Sequence, residues 1–202
     1  MSYIIATLAF SLLGLLTFHP RFQRLSQTHS AAVNFYLTLV ATFIGVLIAI
    51  AISNYEAKGK EKRDLIKLLN AAIASVQTSH DYASILAEYE SKLTDKQRIG
   101  FYDKNPPPYP DFLDNMLSHS LTGSNISGQS LTDLNELLIN LKRSRVHDVL
   151  LYQHLLQQAK GLLETEIRYQ QGHISEARLE ASLDKLALQV TQSAQSKVKI
   201  QP

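Results

Sequence analysis

The chain has 202 residues, 20 Lys+Arg against 18 Asp+Glu, 45% apolar residues, and neither Cys nor Trp. Without cysteine there is no disulfide framework, thiolate metal site, thiol nucleophile or cysteine-linked lipid anchor. The net charge of +2 conceals two unlike parts: residues 1–55 hold no Asp, Glu or Lys and only Arg21 and Arg24, so the rest of the chain is balanced to zero. A balanced part projects no long-range field toward a polyanion, and direct nucleic-acid binding is not expected.

The first element is SYIIATLAFSLLGLLTF, Ser2 to Phe18, 17 residues without a charge that reach about 25 Å as a helix. It lacks the basic n-region and small-residue cleavage site of a secretory signal, and His19, Pro20 and Arg21 after it read as a helix stop and turn. A retained membrane helix is therefore favoured over a cleaved signal. No polar face suits it to lying flat on a bilayer.

The second element, Ala31 to Ser53, has 23 residues in which Asn34 is the only strongly polar side chain, enough to span about 30 Å of hydrocarbon with some tilt. The loop from His19 to Ser30 is too short for a domain, so residues 1–55 read as a transmembrane hairpin with spans at about 2–18 and 31–53. Lys58, Lys60, Lys62, Arg63 and Lys67 follow the second span, against two arginines in the loop. The positive-inside rule then places both termini in the cytoplasm. Ala41, Gly45, Ala49 and Ser53 recur every fourth residue and form a small-residue stripe, suited to close approach of another helix. Two partners remain open for it: the first span, through Ala6 and Gly14, or another copy of the chain. Neither span holds an ionisable side chain, so no proton relay or ion site is expected in the hairpin.

Residues 56–190 read as a cytoplasmic helical domain. Leu65, Leu69, Ala72, Val76, Ser79, Ala83 and Leu86 recur at alternating spacings of 4 and 3, the seam of an amphipathic helix running from the second span to about Leu93. Gly59 is its weak point and a candidate bend. The stretch EAKGKEKRD mixes both signs and reads as a solvated collar. Pro106, Pro107, Pro108 and Pro110 break the helical pattern at 105–110 and favour an extended connector. Its rival reading is a docking strand in which Tyr102 and Tyr109 take part. A short helix is expected from Asp111 to about Leu121, burying Phe112, Leu113, Met116 and Leu117.

TGSNISGQS, residues 122–130, lacks the lysine and preceding strand of a phosphate loop and reads as a turn. Leu134, Leu138, Leu141, Val149, Tyr152, Leu156, Ala159 and Leu163 then trace one long helix ending near Gly172. Ser175 opens a last helix as N-cap, with Ile174 stapled to Leu179. That helix carries Leu183, Leu186 and Val190, and a polar tail, 191–202, frays. No segment alternates with period two. The expected fold is an all-α membrane protein, the hairpin plus a cytoplasmic bundle of three longer helices and one short one.

Chemistry is sparse. The histidines at 19, 29, 80, 119, 147, 154 and 173 include no pair at i, i+4 spacing, so no metal site is expected. His147 and His154 flank the buried seam. Asp111 and Asp114 read as helix N-terminal charge rather than as an acid–base pair. No nucleophile elbow, Walker loop or dinucleotide fingerprint occurs, and neither catalysis nor a cofactor is expected.

The hairpin and its junction, NFYLTLVATFIGVLIAIAISNYEAKGKEKRDLIKLL, followed by a proline-broken middle and a helical tail, resemble the two-transmembrane effector proteins of bacterial retron anti-phage systems. The resemblance implies an inner-membrane protein held inactive by a reverse transcriptase with its RNA-linked DNA. Infection would release it to perturb the membrane and arrest growth. It carries no catalytic residues with it. The lipid bilayer and further copies of the chain are the other expected partners. The competing reading is a non-toxic anchored scaffold whose helical domain recruits a partner.

Overall fold

The structure, a computed structural model, describes residues 30–198, with side chains to Leu188. Every element among these residues is helical, and no strand occurs among them. The expected first span, 2–18, the loop after it and the loop arginines lie outside the described residues, as does the end of the polar tail.

The longest element, α1, runs from Ser30 to Ser91. It contains no proline, and Gly59 is helical like its neighbours. Its end is closed from outside: Arg98 donates through Nη2 to the Ser91 carbonyl at 2.9 Å and through Nε to that of Glu90 at 3.3 Å. A cation on these last carbonyls satisfies acceptors that the helix leaves unpaired. The chain divides between Lys60 and Glu61, inside α1, into two compact units.

In the first unit α1 has no buried side chain among the described residues. Its apolar stretch is long enough to cross a membrane by length and composition, and its side chains are exposed or half-buried. Thr38 and Thr42 turn their hydroxyls back onto the carbonyls of Asn34 and Thr38, each at 2.8 Å. This is how a helix hides such groups where no water is available.

The second unit begins with the seam of α1. Leu65, Leu69, Ala72, Val76, Ser79 and Ala83 are buried, and Leu86 is half-buried. Two single turns follow, α2 (Asp95–Arg98) and α3 (Phe101–Lys104). The proline segment then leads to α4 (Asp111–Ser118) and α5 (Ser120–Asn125). Leu113 and Met116 are buried on α4, with Phe112 and Leu117 packed at the margin of the core.

The expected single helix from Leu131 to Gly172 is two helices, α6 (Gly128–His147) and α7 (Val149–Gln170). Asp148 makes the break, with non-helical φ/ψ of −148° and 89°. Its N–H closes α6 on the Ser144 carbonyl at 2.9 Å, and its carboxylate accepts the Leu151 N–H at 2.8 Å to cap α7. The local signal is legible: Arg145 and His147 suit a helix C-terminus, and Asp before VLL suits an N-cap. The apolar period alone hides it, because the seam resumes nearly in phase across the turn.

Helix α7 ends as a Schellman motif. Gly172 has φ of +76°, its N–H bonds to the Tyr169 carbonyl at 2.8 Å, and the His173 N–H bonds to that of Arg168 at 2.9 Å. Only glycine takes that left-handed conformation at no steric cost. The last helix, α8, spans Glu176–Val198, past Thr191 where the apolar pattern ends. Its first carbonyl acceptor is Ser175, as the N-cap assignment requires, and Ile174 and Leu179 join the same core.

Helix α7 is the centre of this unit. It packs antiparallel to α6, since Asn125 and Ser127 meet Gln170 and Glu166 across the hairpin. It runs opposite to α1, with Gln153 bonded to Ser84 and Lys160 to Gln77. Leu186 of α8 lies where a Cβ on Gly161 would meet it at 3.3 Å, so a glycine admits the close approach. Tyr152, Leu156, Ala159 and Leu163 are wholly buried at this junction. Each such leucine contributes about 1.5–3 kcal/mol through removal from water.

Candidate functional site

The candidate site is the apolar part of α1. At 100° per residue, Ala41, Gly45, Ala49 and Ser53 fall on one side of the helix, and the half-buried Val33, Val40, Ile44, Leu47 and Ala51 lie about 150° away. All four stripe residues are exposed, and a Cβ on Gly45 would meet nothing within 4 Å. The stripe is thus open among the described residues. Tyr36, 65% exposed and edge-on to Phe35 at 5.9 Å, stands at one end of the segment, and Tyr55, 82% exposed, at the other. The two tyrosines are nineteen positions apart, about 28 Å of helix, close to the thickness of bilayer hydrocarbon with its interfacial aromatic belts.

Lys58, Lys60, Lys62, Arg63 and Lys67 follow on α1, all exposed. Lys67 pairs with Asp64 at 3.0 Å, a solvated contact of little energetic weight.

The bundle's polar centre escapes a reading by apolar period alone. Glu166 is fully buried. Its Oε2 accepts the hydroxyls of Ser127 and Ser130, both at 2.7 Å, and its Oε1 accepts the Ser127 N–H at 3.1 Å and the Gln170 amide at 2.7 Å. Gln170 also donates to the Asn125 carbonyl at 2.8 Å. Four donors on one carboxylate offset the cost of burying it. The segment 122–130, expected as a turn, is therefore the end of α5 and the cap of α6, with Ser127 Oγ accepting the Ser130 N–H at 3.2 Å. A sequence signal exists: 166 continues the 152, 156, 159, 163 row, and an acid at a seam position marks a buried carboxylate in need of partners.

The proline segment is a strap. Pro107 and Pro110 are buried, Arg145 Nε donates to the Pro107 carbonyl, and the Tyr152 hydroxyl donates to that of Pro108 at 2.7 Å. Tyr109 bonds to Asp114 at 3.2 Å, and Lys142 pairs with Asp114 at 2.9 Å while lying 5.4 Å from the centre of the Tyr109 ring. Burial and these carboxylates raise the phenols: Tyr102, desolvated and beside Glu90, is pushed up to about 12, and Tyr109 and Tyr152 are raised further, chiefly by desolvation. The connector reading fits this strap better than a strand free to dock, although two of its prolines are core rather than surface.

In a cleft between α1 and α7, Lys160 donates to Gln77 at 2.8 Å, and the Gln157 amide donates to His80 Nε2 at 3.1 Å, leaving Nδ1 facing Asp81 at 3.6 Å. His147 and His154 are exposed on either side of the Asp148 break, and His119 Nδ1 accepts the Leu121 N–H. Asp111 and Asp114 sit in the first turn of α4. Among the described residues no group of three His, Asp or Glu side chains is placed to hold a metal.

Comparison with known protein families, with curated proteins and with solved structures finds no match for this chain.

Proposed function

We propose that the protein is a membrane-embedded effector of a retron-type anti-phage system, which perturbs the bacterial inner membrane when released by infection. The observation that carries the membrane part is the apolar half of α1: without a fully buried side chain among the described residues, free of charge, and bounded by Tyr36 and Tyr55 at a bilayer's spacing. The open stripe of Ala41, Gly45, Ala49 and Ser53 supplies the surface for assembling copies within the bilayer. Lys58, Lys60, Lys62, Arg63 and Lys67 support a cytoplasmic position for the bundle, and the hairpin places both termini there. The defence context, with a reverse transcriptase and its RNA-linked DNA as the restraining partner, is supported by the resemblance of the hairpin and junction.

Expression of the chain without its partners is expected to depolarise cells, and Gly45→Ile, which fills the stripe without adding charge, is expected to abolish depolarisation while leaving the protein in the membrane fraction. A wild-type chain that accumulates in the membrane with no change in membrane potential overturns the effector reading. The second reading, a non-toxic anchored scaffold, is favoured by one observation: the bundle has a complete core of its own, independent of the apolar half of α1. A chain tolerated by the cell both whole and as its first 65 residues supports that scaffold.

A further inference from the structure

The apolar half of α1 is not equally exposed on all sides. Val33, Val40, Ile44, Leu47 and Ala51 are half-buried, while residues of the same kinds elsewhere on the segment are more open: Leu39 is 53% exposed, Val46 52% and Ile50 46%. A helix shields its own side chains alike on every side, so a one-sided reduction needs a neighbour on that side. Among the larger apolar side chains of the segment, Leu37 and Ile48 come next, at 39% each, and both border this row.

With Leu37 the row occupies positions 33, 37, 40, 44, 47 and 51, at spacings of 4, 3, 4, 3 and 4. That alternation keeps a seam turned toward one partner helix over several turns. From Val33 to Ala51 the seam runs 18 positions, about 27 Å. The lowered exposure occurs within a single chain, so its source belongs to that chain. The core of the bundle takes in no residue before Leu65, and the tail from Thr191 holds two lysines and no apolar run. The stretch Ser2 to Phe18, by contrast, is uncharged, about 25 Å long as a helix, and separated from Ala31 by only twelve residues. Its length matches the seam, and so short a link joins adjacent ends and favours an antiparallel neighbour.

We propose that this row of α1 is the seat of residues 2–18, packed antiparallel as the other arm of the hairpin. The inference rests on the membrane-hairpin reading and adds to it the face at which the two arms meet. Interdigitation of branched side chains at the seam holds the arms together, without the close backbone approach that small residues allow. Ala41, Gly45, Ala49 and Ser53 then lie on the side away from the first arm. Of the two partners considered for that stripe, another copy of the chain is the one left.

The chain contains no cysteine, so paired cysteines report this contact directly. Phe18 and Ala31 close the two arms at the loop, and an antiparallel pair sets Ile5 level with Ile44, each thirteen positions away. Ile44→Cys, in the seam, and Gly45→Cys, turned about 100° from it, are each combined in the full-length chain with Ile5→Cys, Ala6→Cys, Thr7→Cys or Leu8→Cys. These four cover one helical turn, and a disulfide needs Cα atoms within about 7 Å. Native membranes are oxidised with iodine, and thiol loss is read by maleimide labelling and non-reducing electrophoresis. At least one Ile44 combination is expected to link within the monomer at least tenfold more than any Gly45 combination. Val40→Cys, one turn nearer the loop, is expected to link about four residues later in the first arm, among Ala9, Phe10, Ser11 and Leu12.

Linkage from Gly45 equal to or above that from Ile44, linkage of Ile44 only between chains, or a Val40 partner earlier in the first arm than the Ile44 partner overturns the proposal. Alkaline carbonate extraction of the same membranes separates this from the membrane reading. Retained chains that link in neither set overturn the seat alone. Extracted chains that link through Ile44 overturn the membrane reading and keep the seat, and extracted chains that do not link overturn both.

Discussion

The apolar half of α1 and the bundle are built from much the same side chains, yet they dispose of them in opposite ways. In the first, Phe43, Val46, Ile50 and Ile52 are about half exposed; in the second, Leu65, Leu69, Leu134 and Leu156 are wholly buried. The difference lies in pattern rather than in content. A helix apolar on every side has no polar face to give to water and suits a medium that is itself apolar. A helix with an apolar seam finds its apolar medium in its neighbours. The two parts should therefore respond differently to the same kind of change.

The largest contrast is expected from matched truncations. Leu156→Ala should destabilise the bundle by about 2–5 kcal/mol through lost burial and the cavity left behind. Ile48→Ala should leave that stability unchanged. Urea unfolding of the detergent-solubilised chain, followed by circular dichroism, measures both, and equal effects would break the contrast.

Next in size is Glu166→Ala. Removing the carboxylate strands the Ser127 and Ser130 hydroxyls and the Ser127 N–H, while the Gln170 amide keeps its bond to the Asn125 carbonyl, a loss of about 3 kcal/mol at about 1 kcal/mol for each orphaned group. Glu166→Gln, which keeps one acceptor oxygen, should cost less. The same unfolding assay ranks the two, and a silent Glu166→Ala would show that α6 and α7 hold their register by apolar packing alone.

The smallest effect is pH-dependent and confined to the bundle. Tyr102, raised from 10.0 to about 12, and Tyr109 and Tyr152, raised further, stay protonated in the folded chain after their unfolded counterparts have ionised. The folded state then binds more protons than the unfolded one, so stability falls as pH rises. The contribution is complete below pH 10 and is lost as pH climbs through 12. Denaturation midpoints at pH 8 and pH 11 should show a decline that Tyr109→Phe, which removes one of the three phenols, makes shallower.

How much of this was legible in the sequence varies by element. The seam of α1 and the stop at Gly172 could be read because a local rule, 3.6-residue periodicity or a left-handed glycine, decides each. The break at Asp148 went unread because the apolar rows of α6 and α7 run on in phase, although Arg145, His147 and Asp148 marked it. Residues 122–130 looked like a loop because small polar residues favour turns in isolation. In the fold, two of those serines are spent on Glu166.

By itself the sequence determined that the chain is helical, that its N-terminal quarter, with Arg21 and Arg24 as its only charges, is unlike the rest, and which leucines line each seam. These follow from composition and period, properties of a single helix. Only the tertiary structure decided that α7 is the centre of the bundle, that Glu166 is buried with four donors, and that the prolines form a strap held by Arg145 and Tyr152. Those features depend on residues 36 to 45 positions apart meeting in space, and no local pattern fixes which distant donor will face which acceptor.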